Sequence, residues 1–557
     1  MEAEKAESAE RRSKEAIVAD VYSPSPAGTD GPSSGPDGEI SDNDDIIYLQ
    51  GPRLWGITAV IASMFFLTMI DITIATTSLV AITRDLGGFE TASWILTSYQ
   101  LGYVAVIVIF AKLSDVFGRK LVLVTCIVGF TVFSGGCAAA QTIEQLIILR
   151  AFQGLGAGGC FTLSATVLLE SVPPAKYGDS VAKTGLAVIL AMVLGPILGG
   201  AISEHTTWRW IFLINLPVGA IVVVLALVSI PNGFPYHGRR NELGNIGTRM
   251  LWSKIDLPGS LLLILATLSF TSCFQEADSR FPWNSAYVIT LLILSVVIWI
   301  LLLLWERHVT LASKIREPVL PWRFFASRVI LGLLLGFVFV GGPLAVAYFQ
   351  LPQRFQLVNG LSSLDAAVRV LPFGVASSTG TVLSGRVASK AKIPAIYIVL
   401  FGAVLQVIGF ALLGTLRYTE GIEPATYGYM VLGGMGCGIS YSTMILIVPF
   451  AAEKRDGAVA MGAANQFRIM GGAIGLAVVT SVFNGYVRSQ FARLDISVPI
   501  TDLAAGAELS LSPEAQDDMR QVLSDAYNHQ MLVLCAFGAA QVPALLLMWK
   551  RKQIITA

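Results

Sequence analysis

Long apolar runs separated by short polar connections make up most of this chain. A helix of about 20 mostly apolar residues is long enough to cross a bilayer. The apolar runs that reach this length lie near residues 55–80, 94–112, 121–140, 146–169, 184–203, 210–230, 257–275, 286–304, 329–349, 366–384, 395–414, 427–449, 464–486 and 530–549. The pattern predicts an all-α membrane protein with fourteen transmembrane helices. The weakest of these runs is 366–384, which contains Arg369 and several Ser and Thr residues.

The distribution of basic residues predicts the orientation of the chain, because cytosolic loops carry an excess of Lys and Arg. With a cytosolic N-terminus, 27 of the 38 basic residues lie on the cytosolic side and 8 on the outer side. Arg150, Arg369 and Arg468 fall within predicted spans. Removing one span would scramble this asymmetry downstream. We therefore predict an even number of spans and both termini in the cytosol.

The first 50 residues differ from the rest and are rich in Glu, Ser, Asp, Pro and Gly. Such a segment buries too little apolar surface to become ordered. It lacks the apolar central region of a signal peptide. The sequence predicts a disordered cytosolic tail over residues 1–50.

Composition narrows the possible functions. The chain is 54% hydrophobic and 14% charged, whereas soluble domains carry about 25% charged residues. The formal net charge of +0 predicts no bulk attraction to nucleic acid. The six cysteines form no CxxC pair, so no metal or other cofactor is expected. No GxxxxGK[ST] run is present to hold ATP phosphates.

The connections between the apolar runs are mostly short. The longest are 231–256 and 305–328 on the cytosolic side and 487–529 on the outer side. None is long enough to form a globular catalytic domain. The function is therefore expected to lie within the helices, and the sequence predicts that the protein is not an enzyme.

A short polar hairpin, AKLSDVFGRK over residues 111–120, joins the second and third apolar runs. It places Asp115, Arg119 and Lys120 around Gly118. So many charges in so tight a connection indicate a functional turn. Glu170, at the cytosolic end of the fourth run, is expected to pair with Arg119 or Lys120.

Asp71 lies in the middle of the first apolar run. A carboxylate at this depth is unfavourable by about 2.5–3.5 kcal/mol, and intramembrane acids usually mark ion or substrate pathways. A buried acid here is able to bind and release a proton. The alternative is a structural acid bonded to a neighbouring helix and supported by Thr73 or Thr76.

The fourth run contains Arg150, followed by Gln153 and by four glycines between Gly154 and Gly159. The arginine either takes part in proton transfer or extends to the outer headgroups, as long basic side chains often do. The fifth run contains Gly195, Pro196, Gly199 and Gly200. A proline bends a membrane helix and glycines allow close helix contact, so this run is expected to seal the central cavity.

These motifs together resemble those of the major facilitator superfamily. The hairpin resembles the signature loop Gly-x-Leu-x-Asp-x-x-Gly-Arg-Lys, which in that family holds one bundle against the other in the outward-facing state. Asp115, Gly118, Arg119 and Lys120 match it, whereas Ala111 replaces its first Gly, so a looser helix contact is expected there.

The spans carry further resemblances. The first is similar to Leu-Asp-x-Thr-Ile-Val-Asn-x-Ala-Leu-Pro of fourteen-span drug:proton antiporters; it keeps the acid and departs at Thr76, Ser78 and Val80. The Arg150 run resembles the Arg-x-x-Gln-Gly motif, whose Arg is implicated in proton transfer. The Gly195 run resembles the exporter motif Gly-x-x-x-Gly-Pro-x-x-Gly-Gly, with Ala191 at its first position. Three further runs resemble the fungal toxin and multidrug branch, namely Trp208 to Gly219, Tyr348 to Pro372 and Gly457 to Phe483.

The resemblance implies the major facilitator fold. Residues 51–230 and 329–549 are then six-helix bundles, 231–328 is a linker with two additional transmembrane helices, and 550–557 is a cytosolic tail. It further implies a monomer that exports small, fairly apolar organic molecules, such as toxins, drugs or secondary metabolites, in exchange for protons. Asp71 and Arg150 are expected to couple the proton, and the hairpin is the conformational gate.

Three alternatives stay open. Fourteen-span relatives also import siderophore–iron complexes, so the chain is alternatively a proton-coupled importer of a siderophore-like or other organic solute. A transporter-like sensor would favour a long cytosolic domain, and only the N-terminal tail is available. The expected location is the plasma membrane, with the vacuolar membrane as the alternative.

Overall fold

The computed structural model describes residues 48–87, 93–235, 255–312, 316–390, 393–419, 421–494, 513–551 and 553–554. The α-helices of the first part are α1 (Pro52–Thr77), α2 (Leu79–Leu86), α3 (Ser93–Phe117), α4 (Arg119–Ala139), α5 (Ile143–Glu170), α6 (Tyr177–His205), α7 (Trp210–Leu213), α8 (Asn215–Ser229), α9 (Leu257–Glu276) and α10 (Ala286–Ala312). Those of the second part are α11 (Trp322–Ala326), α12 (Arg328–Leu357), α13 (Ser363–Arg369), α14 (Leu371–Lys390), α15 (Ala395–Leu413), α16 (Ala425–Ala451), α17 (Gly457–Arg493) and α18 (Pro513–Leu546).

Fourteen helical stretches within the described residues are long and apolar enough to cross a membrane. The predicted number of transmembrane helices is therefore confirmed. Two of the stretches contain a break: α7 and α8 together form Trp210–Ser229, and Asp365–Ala388 runs from α13 into α14. The second of these is the weakest run in the sequence. Most of the predicted N-terminal tail, residues 1–47, lies outside the described residues.

One predicted connection is much shorter than the sequence pattern indicated. The outer loop was expected over 487–529, but α17 continues to Arg493 and α18 already begins at Pro513. These extensions are polar on one side only. On the other side Val487 and Phe491 pack against Val522 and Tyr527 in a buried apolar cluster. A hydropathy window averages over both sides and therefore ended each span too early.

The helices form two bundles with a pair of additional helices, as predicted. In the first bundle α1 packs on α6, and α5 packs on α3 and α4; in the second, α16 packs on α14 and α15, and α12 packs on α17 and α18. The additional helices α9 and α10 pack on each other, and α9 also contacts both α3 and α17. The pair thus lies beside the junction of the two bundles. We call the side of the molecule with Gly118 the hairpin side and the opposite side the far side.

A short polar contact joins two segments on the far side of the first bundle. Oδ2 of Asp85 in α2 accepts hydrogen bonds from Trp208 Nε1 at 2.9 Å and Arg209 Nη1 at 2.8 Å. The Trp208 hydrogen bond, followed by that of Arg209, lowers the pKa of Asp85 below its ordinary value. The contact therefore ties α2 to the start of α7 wherever Asp85 is ionised.

We expect the contribution of Asp85 to stability to depend on pH. A carboxyl whose pKa is depressed on folding stabilises the folded state above the ordinary aspartate range and loses that effect as the pH falls through its folded value. The difference in thermal unfolding between wild type and Asp85→Asn should be present at neutral pH and shrink below about pH 4. A difference that stays constant across this range would contradict the ionic contact.

Candidate functional site

A closed polar network surrounds Asp71 in the middle of the first bundle. Asp71 of α1 is fully buried. Its Oδ1 accepts hydrogen bonds from Gln153 Nε2 of α5 at 2.9 Å and from Asn215 Nδ2 of α8 at 3.1 Å. Its Oδ2 forms an ion pair with Arg150 Nη1 of α5. Ser134 Oγ of α4 accepts from Gln153 at 2.8 Å, so side chains of four helices belong to the network around this carboxylate.

Arg150 is directed into this network. Its side chain has no exposure, so the extension to the headgroups considered from the sequence does not occur in this state. Nη1 also donates to Gln153 Oε1 at 2.8 Å, and Nε donates to the carbonyl of Ile95 at 3.2 Å. The guanidinium carbon lies 4.2 Å from the centre of the Tyr99 ring and 5.5 Å from that of Phe212. Nη2 has no hydrogen-bond partner.

The prediction that Thr73 or Thr76 supports Asp71 is wrong. Thr73 Oγ1 donates to the Ile70 carbonyl at 3.1 Å, and Thr76 Oγ1 donates to the Ile72 carbonyl at 2.9 Å. Within a helix, a threonine hydroxyl reaches the carbonyl of the preceding turn more easily than an acid two to five residues away. The acid is instead held by other helices.

Sequence reasoning missed Ser134 and Asn215 as members of the network. Each is a polar residue inside an apolar run, in TVFSGG and FLINLP respectively. Buried polar groups need partners, so this isolated position was the available signal. Their pairing with Asp71 depends on helix packing, which no local pattern reveals.

The glycine run in α6 allows close contact with α1. A Cβ at Gly195 would overlap Thr73 Oγ1, and a Cβ at Gly199 would lie 2.8 Å from the carbonyl oxygen of Ile74. A Cβ at Gly200 would meet no atom within 4 Å. Gly195 and Gly199 thus bring α6 against the helix that carries Asp71, whereas Gly200 does not. The side chain of Pro196 lies outside the described part of the chain.

Alanine substitutions in this run should distinguish the glycines that contact α1 from Gly200, which does not. Gly199→Ala is expected to push α6 away from α1 and destabilise the protein by about 1–3 kcal/mol, as overpacking does. Gly200→Ala adds the same methyl group to open space and should leave stability and transport close to wild type. Thermal unfolding and transport rates of the two variants check this. Equal effects would contradict the packing described here.

Gly118, with φ of 92°, turns the chain between α3 and α4 at the hairpin. Arg119 pairs with Asp115 at 2.6 Å and with Glu170 of α5 at 2.8 Å, so one of the two partners predicted for Glu170 is present. Lys120 Nζ donates to the carbonyl of Leu227 at 2.8 Å. These charges connect the hairpin to other parts of the first bundle.

The contact between the bundles near the hairpin is made by smaller groups. Ala111 of α3 is fully buried, and a Cβ at Gly462 of α17 would lie 3.2 Å from the Ala111 methyl. This chain lacks the glycine of the signature loop at position 111, and a glycine on the facing helix offsets that difference. On the other flank, α6 and α14 touch backbone to backbone at Gly178 and Gly385. The hairpin side is closed at both contacts.

A second group of polar and aromatic residues lies between the bundles. The Arg468 guanidinium of α17 stacks on the Tyr441 ring at 5.4 Å, and both interact electrostatically with Tyr103 of α3. Phe467 lies edge-on to Trp299 of α10 at 6.1 Å. The sequence placed Arg468 near the end of a span, but α17 begins at Gly457 and Arg468 lies well inside it. These side chains are candidates for contact with a transported molecule.

Known proteins share this architecture. The family model of the Major Facilitator Superfamily matches residues 61–277 and 277–476. Among solved structures, the human organic anion transporter MFSD10 superposes with a TM-score of 0.56 at 14% identity, covering 90% of this chain and 100% of the other. The proton:xylose symporter XylE superposes with a TM-score of 0.55 at 17% identity, covering 90% and 96%. These two similarities concern the fold.

Curated relatives are more similar in sequence. The MFS-type transporter FPY5 of Fusarium mangiferae is 36% identical over 91% of this chain and 85% of its own length. The MFS-type efflux pump LUC4 of a Fusarium species is 31% identical over 80% and 76%. The efflux pump FUS6 of Gibberella fujikuroi is 29% identical over 88% and 87%. The chain therefore belongs to the major facilitator superfamily, a family of membrane transporters and not of enzymes, in the branch that holds fungal efflux pumps.

Proposed function

We propose that this chain is a proton-coupled efflux transporter that exports small, fairly apolar organic molecules, such as toxins, drugs or secondary metabolites. The observation that carries the proposal is the buried pair of Asp71 and Arg150. An intramembrane acid is costly and usually serves an ion or substrate pathway. The relatives named efflux pumps, LUC4 and FUS6, favour export over import.

The interactions of this ion pair depend on whether Asp71 carries a proton. With Asp71 ionised, Arg150 compensates its charge at Oδ2, and Gln153 and Asn215 both donate to Oδ1. A proton on Asp71 removes the attraction, whereas a guanidinium stays charged at any physiological pH. Breaking a buried ion pair by removing the charge of one partner costs about 3–5 kcal/mol. This is enough to change which arrangement of α1, α5 and α8 is favoured.

Proton exchange requires a second conformation. Asp71 has no contact with solvent in the closed arrangement described above, so it neither takes up nor releases a proton there. In the proposed cycle, water reaches Asp71 from the far side in one state and from the hairpin side in another. The charges of Asp115, Arg119 and Lys120 hold the hairpin in place on the first bundle and thereby support the state in which Ala111 meets Gly462 and the hairpin side is closed. Substrate and proton cross in opposite directions.

The proposal also includes the orientation of the transporter, its membrane and the place where its substrate binds. We place the hairpin side and both termini in the cytosol, following the distribution of basic residues. The protein acts as a monomer in the plasma membrane, with the vacuolar membrane as the alternative. The substrate binds between the bundles, where Tyr103, Tyr441 and Arg468 offer aromatic surface and hydrogen-bond donors.

Efflux measurements test this function. Cells that express wild type should lower their content of some members of a panel of fluorescent and toxic compounds, and a proton uncoupler should abolish the effect. Asp71→Asn should be inactive, because an amide cannot carry the proton. Asp179→Asn, which alters an exposed acid paired with Lys183, serves as the matched control and should stay active.

Each outcome has a defined meaning. Wild-type efflux that ignores the uncoupler would exclude proton coupling. Full activity in Asp71→Asn would exclude this residue as the proton carrier and leave the pair a purely structural contact. Accumulation of compounds, instead of their loss, would favour the importer.

A further inference from the structure

Two acidic side chains lie at the hairpin-side ends of the additional helices. Asp256 caps the N-terminus of α9, and Glu306 belongs to the last two turns of α10. Both side chains are fully buried. Neither belongs to a motif used above, and both are remote in sequence from Asp71.

The two carboxyl groups have unequal partners. Asp256 Oδ1 accepts a hydrogen bond from the Gly259 N–H at 3.1 Å, and both of its oxygens accept from Trp305 Nε1 at 3.0 Å. Neither oxygen of Glu306 has a hydrogen-bond partner. The N–H groups of Val319 and Leu320 face the Glu306 carboxyl without reaching hydrogen-bond geometry.

The carboxyl groups meet across one glycine. A Cβ at Gly259 would lie 2.7 Å from Glu306 Oε1 and would overlap Asp256 Oδ2. Among the residues that the structure describes, Lys112 of the hairpin interacts electrostatically with Glu306. Its ammonium group is engaged in an ion pair with Glu317. Within the part of the chain that the structure describes, neither Asp256 nor Glu306 forms an ion pair with a basic side chain.

This arrangement is unfavourable if both acids are ionised. Two adjacent carboxylates repel each other, and an ionised carboxylate that accepts no well-formed hydrogen bond is poorly solvated in a buried site. A single proton removes both problems. Asp256, which accepts two N–H donors, is the better placed of the two acids to keep the charge, as in carboxyl pairs that share one proton.

We propose that Asp256 and Glu306 share one proton and form a second proton-binding site, separate from Asp71. Its use in transport rests on the proposed function. Lys112 lies in the hairpin, and the Ile255 backbone pairs with that of Glu317, so a movement of α3 changes the charge beside the acids. When the hairpin side opens, Lys112 separates from Glu317, water reaches the pair, and Glu306 releases its proton to that water.

Infrared spectroscopy of the purified full-length protein in lipid nanodiscs tests the site directly. A protonated carboxylic acid has a C=O stretching band that shifts in D₂O. Wild type at neutral pH should show this band from the pair, and Glu306→Gln should lose the intensity of about one carboxylic acid per molecule. Glu453→Gln removes an exposed glutamate paired with Arg455 and should leave the band unchanged. An unchanged band in Glu306→Gln would overturn the proposal.

A second variant gives the same test by a different route. Asp256→Asn removes the charge beside Glu306 but leaves Glu306 buried, so Glu306 should stay protonated and its band should shift in frequency as its neighbour changes from a carboxylate to an amide. If Glu306→Gln does not fold, this variant decides the question, since a band identical to that of wild type would contradict a shared proton. The readout requires no transport. A wild-type efflux that ignores the uncoupler would therefore defeat the proposed function and leave the second site standing.

Discussion

Asp71→Leu is expected to destabilise the protein by about 3–5 kcal/mol, more than Arg150→Leu. The first variant leaves a buried guanidinium that cannot give up its proton. The second leaves an acid that can take up a proton and still has Gln153 and Asn215 as partners, with a cost nearer to about 1–3 kcal/mol. Thermal unfolding in detergent micelles measures the difference in stability. Both variants should also lack proton-coupled transport.

The double variant gives the sharpest form of this prediction. Asp71→Leu combined with Arg150→Leu removes both charges, so it should be more stable than Asp71→Leu alone. Residues in direct contact typically show coupling of about 0.5–3 kcal/mol. Asp179→Leu breaks an exposed pair with Lys183 and should change stability by less than about 0.5 kcal/mol. Additive effects of the two single variants would contradict a direct ion pair.

Gly178→Ala is expected to prevent closure of the hairpin side while leaving each bundle folded. A Cβ at this position would overlap the Gly385 carbonyl oxygen and lie 2.7 Å from Gly385 Cα. Backbone atoms cannot turn aside as a side chain does, so the helices must separate. A cost of about 1–3 kcal/mol would reduce the ratio of closed to open molecules about 5- to 150-fold. Transport should fall by a similar factor.

Distances between spin labels measure this closure. Labels at Lys183 of α6 and Arg386 of α14, both exposed, should report a longer distance in Gly178→Ala than in wild type. Gly185→Ala is the matched control on the same helix, because the nearest atom to its added methyl is Thr381 Cγ2 at 3.9 Å. An unchanged distance in Gly178→Ala would show that this contact does not set the closed state.

Hydropathy alone was enough to predict the number of membrane spans. Every predicted span corresponds to a helix, including the weak run with Arg369, because the cost of an unsatisfied backbone in lipid leaves a long apolar segment no alternative to a helix. The ends were less predictable. The far-side extensions of α17 and α18 are half polar, and the packing of Phe491 on Tyr527 sustains them.

The candidate site was only partly accessible from the sequence. Asp71 and Arg150 stand out locally, because a charge inside an apolar run is costly wherever it lies. Their pairing, and the contributions of Ser134 and Asn215, arise from helices far apart in the chain. Glu306 gave no signal, since it lies near the polar end of a span, where acids are common.

The sequence by itself determined the class of protein, the helices and the acid at the centre of the first bundle, since each follows from the free energy of placing a side chain in hydrocarbon. Only the tertiary structure decided which side chains these charged groups contact. Whether Arg150 meets lipid headgroups or Asp71, and whether two acids meet across Gly259, depends on contacts between helices distant in the chain. Such contacts are set by shape and burial, which a one-dimensional pattern does not contain.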